Sequence, residues 1–363
     1  MQIIADRRYL HTIPELGREL PLTTQYVTQK LSELSCRVFF PIEHSVCAWF
    51  DFGCDSAIAF RADMDALPIG EKTGLDFASR HPGKMHACGH DGHMAMLLEL
   101  ARQLDQKKKL DKNVLLIFQP GEETPGGAED ICNTDLLEEY NVKAVFGQHL
   151  WPEIPAGKIA SRPGELMSRN SELTVTITGR SSHIGRADKG LDAMAAGWEF
   201  YARAMELERS LPDGEYRLLK FGKLESGTAR NAISAHTCMY GTLRTFRDEI
   251  FDHLRDGIYR IAQEVERLTG CKVDIHMNRG YPAVCNDPKV YHRVAEIMDI
   301  LLLEEPSMIS EDFSYYLQRV PGMFFFLGTG DTPALHADTF TYDEEVLCKG
   351  AQFLLKLAEE YKV

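Results

Sequence analysis

The sequence predicts an α/β fold with a second, smaller α+β domain inserted into it. Helical and strand-like segments alternate over the first 170 residues, and the same rhythm returns after Gly280. Between these parts the rhythm changes, and the segment 173–178 alternates strictly and is rich in β-branched residues, as in a half-buried antiparallel strand. We therefore predict a discontinuous α/β domain formed by 1–170 and 280–363, with an α+β domain formed by 171–279.

The α/β domain is predicted from apolar periodicity. A spacing near 3.6 residues predicts helices over 8–34 and 94–104, and continuous apolar runs predict buried parallel strands over 113–119 and 142–149. A shorter run at 56–61 is a further strand. After Gly280 the same reasoning predicts the following elements: a helix over 289–302, a strand over 323–327 and a helix over 343–360.

The inserted domain is predicted from one complete cycle of elements. The strand 173–178 is followed by a helix over 189–208 and then by strands over 216–224 and 237–244. A long helix over 248–268 and a strand over 272–276 complete the series. The order β-α-β-β-α-β is the split βαβ arrangement of small α+β domains.

Length and charge restrict the class of protein. The 363 residues exceed the usual size of one domain, and the net charge is 40 − 54 = −14. An acidic surface argues against a nucleic-acid or anionic-membrane partner. The start of the chain does not resemble a signal peptide, and no apolar run approaches the roughly 18 residues of a membrane span. Nine scattered cysteines favour reduced thiols, so we expect a cytoplasmic location without a membrane partner.

Groups that can bind a metal lie at predicted strand and helix ends. Cys88 and His90 precede a helix in a glycine-rich turn, where the helix end is expected to lower the pKa of the thiol. Glu122 and Glu123 follow one buried strand, and His149 ends the next. Because catalytic groups gather at the carboxyl ends of parallel strands, this pattern predicts a metal site. Cys88 as a catalytic nucleophile is the alternative.

Motifs along nearly the whole chain resemble those of the dinuclear-metal amidohydrolases, a branch of the metallopeptidases. This branch includes aminoacylases, hippurate hydrolase, auxin-conjugate amidohydrolases and N-acetyldiaminopimelate deacetylase. The segment Cys-Gly-His-Asp-Gly-His at 88–93 is specific to it. The other matching motifs, in family order, are 10–16, 61–68, 119–123, 241–246 and 310–313.

The resemblance implies a metallopeptidase-type catalytic domain, an inserted ferredoxin-like dimerisation domain and two divalent metal ions per subunit, manganese or zinc. Glu122 would be the general base, and Cys88 would bridge the two metals. Asp63, Asp65 and Asp91 would be outer carboxylates that orient histidines or fix the backbone. His86 and His93 are assigned to packing or to the same outer layer. The implied metal ligands are Cys88, His90, Glu123, His149 and His336.

The inserted domain is also expected to contribute to the reaction. In the family, the histidine at the place of His183 reaches a neighbouring active site across a homodimer and stabilises the oxyanion. Asn231 and Arg244 match positions that bind the substrate. Two departures from the family pattern, at 184–188 and at Ser234, weaken the transfer of substrate identity more than that of reaction type.

The resulting prediction is a metal-dependent amidohydrolase that cleaves N-acyl-L-amino acids. Segments 125–128, 170–173 and 231–235 look most like the N-acetyldiaminopimelate deacetylase subgroup. A generalist aminoacylase or hippurate hydrolase is the alternative within the family, and a dipeptidase is a weaker one. A non-catalytic metal-binding homologue is the alternative of another class, although the intact Glu122–Glu123 pair argues against it.

Overall fold

A computed structural model describes residues 1–124 and 126–363, so Pro125, in one of the segments compared above, lies outside the described residues. The chain forms two compact units. The first comprises Met1–Leu166, Val284–Pro306 and Glu311–Val363, and the second comprises Met167–Ala283 with Ser307–Ser310.

The strands and helices are numbered in chain order. The strands are β1 Arg37–Phe39, β2 Val46–Phe50, β3 Ala57–Asp63, β4 Asn113–Gln119, β5 Val142–Pro152, β6 Ile159–Ser161, β7 Gly164–Met167, β8 Arg169–Thr178, β9 Arg217–Ser226, β10 His236–Thr245, β11 Lys272–Met277, β12 Val284–Asn286, β13 Leu301–Leu302 and β14 Gly322–Gly330. The helices are α1 Gln2–His11, α2 Pro21–Ser32, α3 His90–Asp105, α4 Gly127–Cys132, α5 Leu136–Glu139, α6 Ala193–Arg209, α7 Asp248–Thr269, α8 Pro288–Ile297, α9 Ser314–Leu317 and α10 Glu345–Glu360. A 3-10 helix spans Ile184–Lys189.

The first unit is built on an eight-stranded mixed sheet in the order β1-β2-β4-β3-β5-β14-β6-β13. Its four central strands, β4, β3, β5 and β14, are mutually parallel. Helices α3 and α10 pack in the same hydrophobic core as these strands, with Leu97, Leu347 and Leu354 fully or almost fully buried. Because the central strands run in one direction, their carboxyl ends meet at one edge of the sheet, where functional groups are expected.

Two predicted helices of this unit are shorter than the pattern indicated. The predicted helix 8–34 is two helices, because Pro14 lies in the intervening segment and Gly17 adopts a φ of +60° that breaks the helix. The predicted helix 289–302 ends at Ile297, and Leu301–Leu302 instead forms the edge strand β13 beside β6. Short apolar runs of this length do not distinguish helix from strand, so tertiary pairing decided the outcome.

The second unit has the split βαβ order that the sequence predicted. Its four-stranded sheet, β11-β8-β10-β9, pairs every neighbour antiparallel. Alternate residues of β8 point to one face, where Leu173, Val175 and Ile177 pack in a core with α6 and α7. Ser307–Ser310 belongs to this unit because the Ser168 amide donates to the carbonyls of Ser307 and Ile309, at 3.0 and 2.9 Å.

The predicted fold class is therefore confirmed: a mixed α/β unit is interrupted by an α+β unit. None of the helices formed by the described residues combines the length and the apolarity needed to cross a bilayer. All nine cysteines lie among the described residues and all are free thiols.

Candidate metal centre

The candidate ligands come from four segments of the first unit. Cys88 lies in the turn before α3, and His90 is the first residue of that helix. Glu123 follows β4 after the turn at Pro120–Gly121. His149 lies within β5, which continues to Pro152, so the prediction that it ends its strand is wrong. His336 follows β14 in a loop and holds an unusual φ of +66°.

These segments bring the predicted ligand atoms together. Cys88 Sγ lies 3.3 Å from His149 Nε2 and 3.3 Å from His336 Nε2. His336 Nε2 in turn lies 3.3 Å from Glu123 Oε1. Three overlapping groups each place their ligand atoms within 4.8 Å of one another: Cys88 with His90 and His149, Cys88 with Glu123 and His336, and His90 with Glu122 and Glu123. Cys88 thus stands between two histidines and belongs to two groups.

His90 directs its Nε2 atom toward this cluster. His90 Nδ1 lies 2.7 Å from the Asp65 carbonyl oxygen, which only accepts, so Nδ1 carries the proton. Nε2 of His90 is fully buried, has no hydrogen-bond partner among the described residues and lies 3.7 Å from an oxygen of Asp63. A buried ring nitrogen that faces a carboxylate without a hydrogen bond favours a positive charge at its tip, and a metal ion on Nε2 fits this position.

The predicted outer carboxylates make defined contacts. Asp65 accepts hydrogen bonds from the backbone amides of Glu122 and Glu123, at 2.9 and 3.0 Å, and so fixes the turn that carries both glutamates. Asp91 accepts from Arg7 Nε at 3.0 Å and lies 2.7 Å from His11 Nδ1. Asp91 therefore ties α3 to α1.

Burial and neighbouring charges shift the pKa values of the side chains in the cluster. Burial raises the pKa of Cys88, and the carboxylates of Glu123 and Glu122 raise it further, against the lowering expected at a helix end. Burial and the neighbouring Glu311 and Glu123 likewise raise the pKa of Glu122. Burial alone would lower the pKa of His90, but Asp63 and Asp65 raise it to about 10. Sulfur, imidazole and carboxylate groups brought together in this way form a ligand set for divalent metal ions, and a thiolate with imidazoles suits zinc.

A buried charge cluster that sequence reasoning missed lies beside Glu122. The fully buried Arg61 guanidinium donates to Asp63 at 2.8 Å and to Asp312 at 2.6 Å, and lies 3.0 Å from Glu311. Glu311 and Asp312 each have a carboxylate oxygen within 4.8 Å of one of Glu122. The available signal was that Arg61, Glu311 and Asp312 lie in the matching motifs 61–68 and 310–313, where these three residues had been given no role.

His86, which the sequence assigned to packing or to the outer layer, lies outside the cluster. It is 2% exposed, and neither ring nitrogen has a hydrogen-bond partner among the described residues. Burial lowers its pKa to about 3, so the ring is neutral. Its neighbour in space is His11, with ring centroids 6.4 Å apart.

The residues predicted in the second unit are on its surface. His183 is exposed, and its Nδ1 accepts from the Gly185 amide at 3.1 Å. Asn231 is also exposed. It lies beside His183, because its backbone carbonyl accepts a hydrogen bond from the Ile184 amide at 2.9 Å. The structure thus brings these two loops together within this unit.

Arg244 lies on the sheet of the second unit rather than in these loops. It donates to the Met308 carbonyl, and among the described residues no carboxylate pairs with it. Burial lowers its pKa, which marks a cation without a compensating charge. Arg244 lines a cavity of about 380 Å³ together with Asn170, Glu172 and Tyr240.

Comparison with known proteins shows which family shares this sequence and architecture. Residues 59–360 match the model of peptidase family M20/M25/M40. The chain is 33% identical over 375 residues to N-acetyldiaminopimelate deacetylase of Exiguobacterium sibiricum, covering 99% of this chain and 98% of that protein. It is 33% identical over 367 residues to N-acetyl-L-cysteine deacetylase of Bacillus subtilis, covering 99% and 88%.

A solved structure from Bacillus subtilis, described as a dinuclear metal binding peptidase from the M20 family, superposes with a TM-score of 0.85. Sequence identity is 31%, and the match covers 98% of this chain and 96% of that one. The fold, the extent of the family match and the predicted motifs agree. The chain therefore belongs to peptidase family M20/M25/M40, as a hydrolase of the amidohydrolase branch that its motifs resemble.

Proposed function

We propose that the protein hydrolyses the amide bond of N-acyl-L-amino acids at a centre of two divalent metal ions. The observation that carries the proposal is the convergence of one thiol, three imidazoles and a carboxylate from four chain segments. The residues that would hold the two ions are Cys88, His90, Glu123, His149 and His336, and Cys88, which belongs to two of the groups, would be shared between them. When bound, two such cations polarise an amide carbonyl and lower the pKa of water toward neutrality.

Glu122 is the proposed general base. An amide nitrogen leaves only after protonation, so one group must take the proton from water and pass it to the amine. Glu122 neighbours the ligand Glu123, and Asp65 fixes the backbone of both residues. The shared Asp65 anchor supports a geometry in which one glutamate binds metal and the other moves the proton.

The second unit supplies the proposed substrate contacts. A half-buried guanidinium that has no carboxylate partner among the described residues is suited to a substrate carboxylate, which every N-acyl amino acid carries. Arg244 is therefore the proposed carboxylate contact and Asn231 a second polar contact. His183 is the proposed oxyanion stabiliser, because the resemblance assigns that role to its position and its side chain is exposed.

N-acetyl-L,L-diaminopimelate is our preferred substrate within this class. One relative with 33% identity carries that activity in its name, while another with the same identity is named for N-acetyl-L-cysteine. The cavity beside Arg244 favours the first, because it also contains the acidic Glu172, for which no ion pair is found among the described residues. A cation and an anion in one cavity suit a substrate that carries a distal ammonium group, for Glu172, in addition to the carboxylate beside its acylated nitrogen, for Arg244.

A homodimer through the second unit is also proposed. Strand β9 lies at the edge of its sheet, and α6 packs against it through Tyr201 and Phe221, with ring centroids 5.8 Å apart. The same surface exposes Trp198 at 69% and Leu224 at 54%. Exposed large apolar side chains beside an open strand edge mark an interaction surface. We expect Trp198→Glu to convert the dimer into a monomer, and light scattering measures the change in molar mass.

One experiment tests the reaction and its alternatives. Metal-quantified protein is assayed on N-acetyl, N-benzoyl and N-succinyl amino acids, including N-acetyl-L,L-diaminopimelate, with and without chelator. We expect chelator-sensitive release of acid, fastest with the diaminopimelate derivative. Turnover that survives complete metal removal would support a Cys88 nucleophile. Absence of turnover on the whole panel, despite two bound metals, would support a non-catalytic binding protein.

A further inference from the structure

A buried chain of hydrogen bonds connects Arg61 to His149. Arg61 Nη1 donates to Asp63 Oδ2 at 2.8 Å, and the other oxygen of Asp63 lies 2.6 Å from His93 Nδ1. The Leu150 amide donates to His93 Nε2 at 2.9 Å, and His149 Nδ1 lies 2.6 Å from the Leu150 carbonyl oxygen. His93 and Asp63 are fully buried.

The backbone of Leu150 fixes where the protons lie. A peptide N–H only donates, so His93 Nε2 must accept from it, and the proton of His93 is on Nδ1, directed at Asp63. A peptide carbonyl only accepts, so His149 carries its proton on Nδ1. The lone pair of His149 is therefore on Nε2, the atom that lies 3.3 Å from Cys88 Sγ.

His93 occupies the place of a missing strand partner. Pairing of β5 with β3 ends at Arg61 and Gly147, before β5 reaches Leu150. On its other side β5 remains paired with β14, where Leu327 faces Leu150. The Leu150 amide would lack an acceptor at this open edge, and His93 supplies it.

The side chain of Leu150 is confined by the same motif. A Cβ atom at Gly89 would lie 3.0 Å from Leu150 Cδ1, and one at Gly92 would lie 2.9 Å from it. Both glycines belong to the segment 88–93. The motif therefore holds Leu150 from two directions, through the side-chain packing and through the amide.

We propose that His93 is a positioning residue, which holds the Leu150 peptide and thereby fixes the orientation and tautomer of the metal ligand His149. Asp63 and Arg61 complete the chain by anchoring the His93 ring. This inference rests on the proposed metal centre, because it treats His149 as a ligand. It predicts an effect on metal binding that does not depend on which substrate the enzyme uses.

The test compares three replacements of His93 by titrating metal-free protein with Zn²⁺ and Mn²⁺. Glutamine can place an amide oxygen near the Nε2 position and keep the acceptor for Leu150, whereas asparagine reaches only the Nδ1 position. His93→Leu and His93→Asn are expected to weaken one of the two metal sites by about 10- to 100-fold. His93→Gln is expected to stay within about threefold of wild type, as is the exposed control His253→Leu.

The cobalt-substituted protein gives a second readout. In His93→Leu and His93→Asn, the thiolate-to-cobalt absorption of Cys88 is expected to shift, while His93→Gln keeps the wild-type spectrum. Wild-type affinity and spectrum in folded His93→Leu would overturn the proposal, and so would equal damage in all three variants. Failure of the wild type to bind two ions would instead reject the ligand set itself.

If His93→Leu does not fold by circular dichroism, Asp63→Asn takes its place. The asparagine oxygen can still accept a hydrogen bond from His93. Its NH₂ group then faces the N–H donor of Arg61, and two donors cannot bond, so we expect about tenfold weaker metal binding. Unchanged affinity in that variant would contradict the chain of contacts.

Discussion

The proposed metal-binding cluster of the first unit and the proposed substrate contacts of the second are built in opposite ways. Around the cluster, Cys88, His90 and His149 are buried and each is held by packing or by backbone contacts. In the second unit, His183 and Asn231 are exposed, and Arg244 has no carboxylate partner among the described residues. The difference teaches that the proposed metal ligands are preorganised in a buried core, whereas the proposed substrate contacts keep polar groups free for a ligand.

The largest expected effect is the loss of catalysis in Glu122→Gln. An amide cannot accept the proton, so turnover should fall by about 10²- to 10⁴-fold while both metals remain bound. The measurement is kcat/KM together with metal content, with the exposed Glu249→Gln as control. Full activity in Glu122→Gln would remove the general base from the proposal.

The substitution Arg61→Met tests how much the buried charge cluster around Arg61 stabilises the fold. Removing the guanidinium leaves Asp63, Asp312 and Glu311 without their cation, so the free energy of unfolding should fall by about 3–5 kcal/mol. Urea denaturation measures this loss, and Arg255→Met on α7 serves as a surface control. A loss below 1 kcal/mol, on the scale of about one surface ion pair, would show that the cluster is not needed for folding.

The contact between α1 and α3 predicts a pH-dependent stability. Burial alone would lower the pKa of His11, but Asp91 and Glu71 raise it from 6.5 to about 9. Because the folded-state pKa is the higher one, this stabilisation is complete below pH 6.5 and is lost as the pH rises through about 9.

Metal-free wild type should therefore lose about 2–3 kcal/mol of unfolding free energy between pH 6 and pH 10 through this residue. His11→Gln should show a flatter profile over the same range, whereas the exposed His292→Gln should follow the wild type. If the unfolding free energies of wild type and His11→Gln change with pH in parallel, then His11 is not held in its protonated form by Asp91.

The two smallest expected effects lie in the second unit. Arg244→Met should raise KM for carboxylate-bearing substrates by about 10- to 100-fold, the value of one charged hydrogen-bonded contact. Metal content and the rate with an N-acyl amine that lacks the carboxylate should not change. An equal loss with both substrates would place Arg244 in a structural role.

Glu172 sharpens the same comparison. Glu172→Gln is combined with removal of the distal amino group from the diaminopimelate substrate. If Glu172 binds the distal ammonium group, either change by itself should lower kcat/KM about tenfold. Making both changes together should lower kcat/KM little further. Strictly additive losses would argue against an ammonium contact at Glu172.

Much of the fold could be predicted from periodicity, because buried parallel strands and split βαβ segments have distinctive patterns. Strand β4 was predicted with its observed bounds, and α7 within one residue. The errors fell where short apolar runs depend on their neighbours. Leu301–Leu302 became a strand only because β6 lies beside it, and the helix predicted over 8–34 broke at a turn that periodicity does not register.

The sequence by itself determined the class of protein and the identity of the cluster, because Cys88, His90 and Glu122–Glu123 lie at predictable strand and helix ends. The tertiary structure decided what holds them. Arg61 and Asp312 are 251 positions apart, and no local pattern reveals that they share one buried ion pair. Nor does the sequence state that His93 completes the open edge of β5. Contacts between distant segments set protonation and orientation, and only the folded chain brings those segments together.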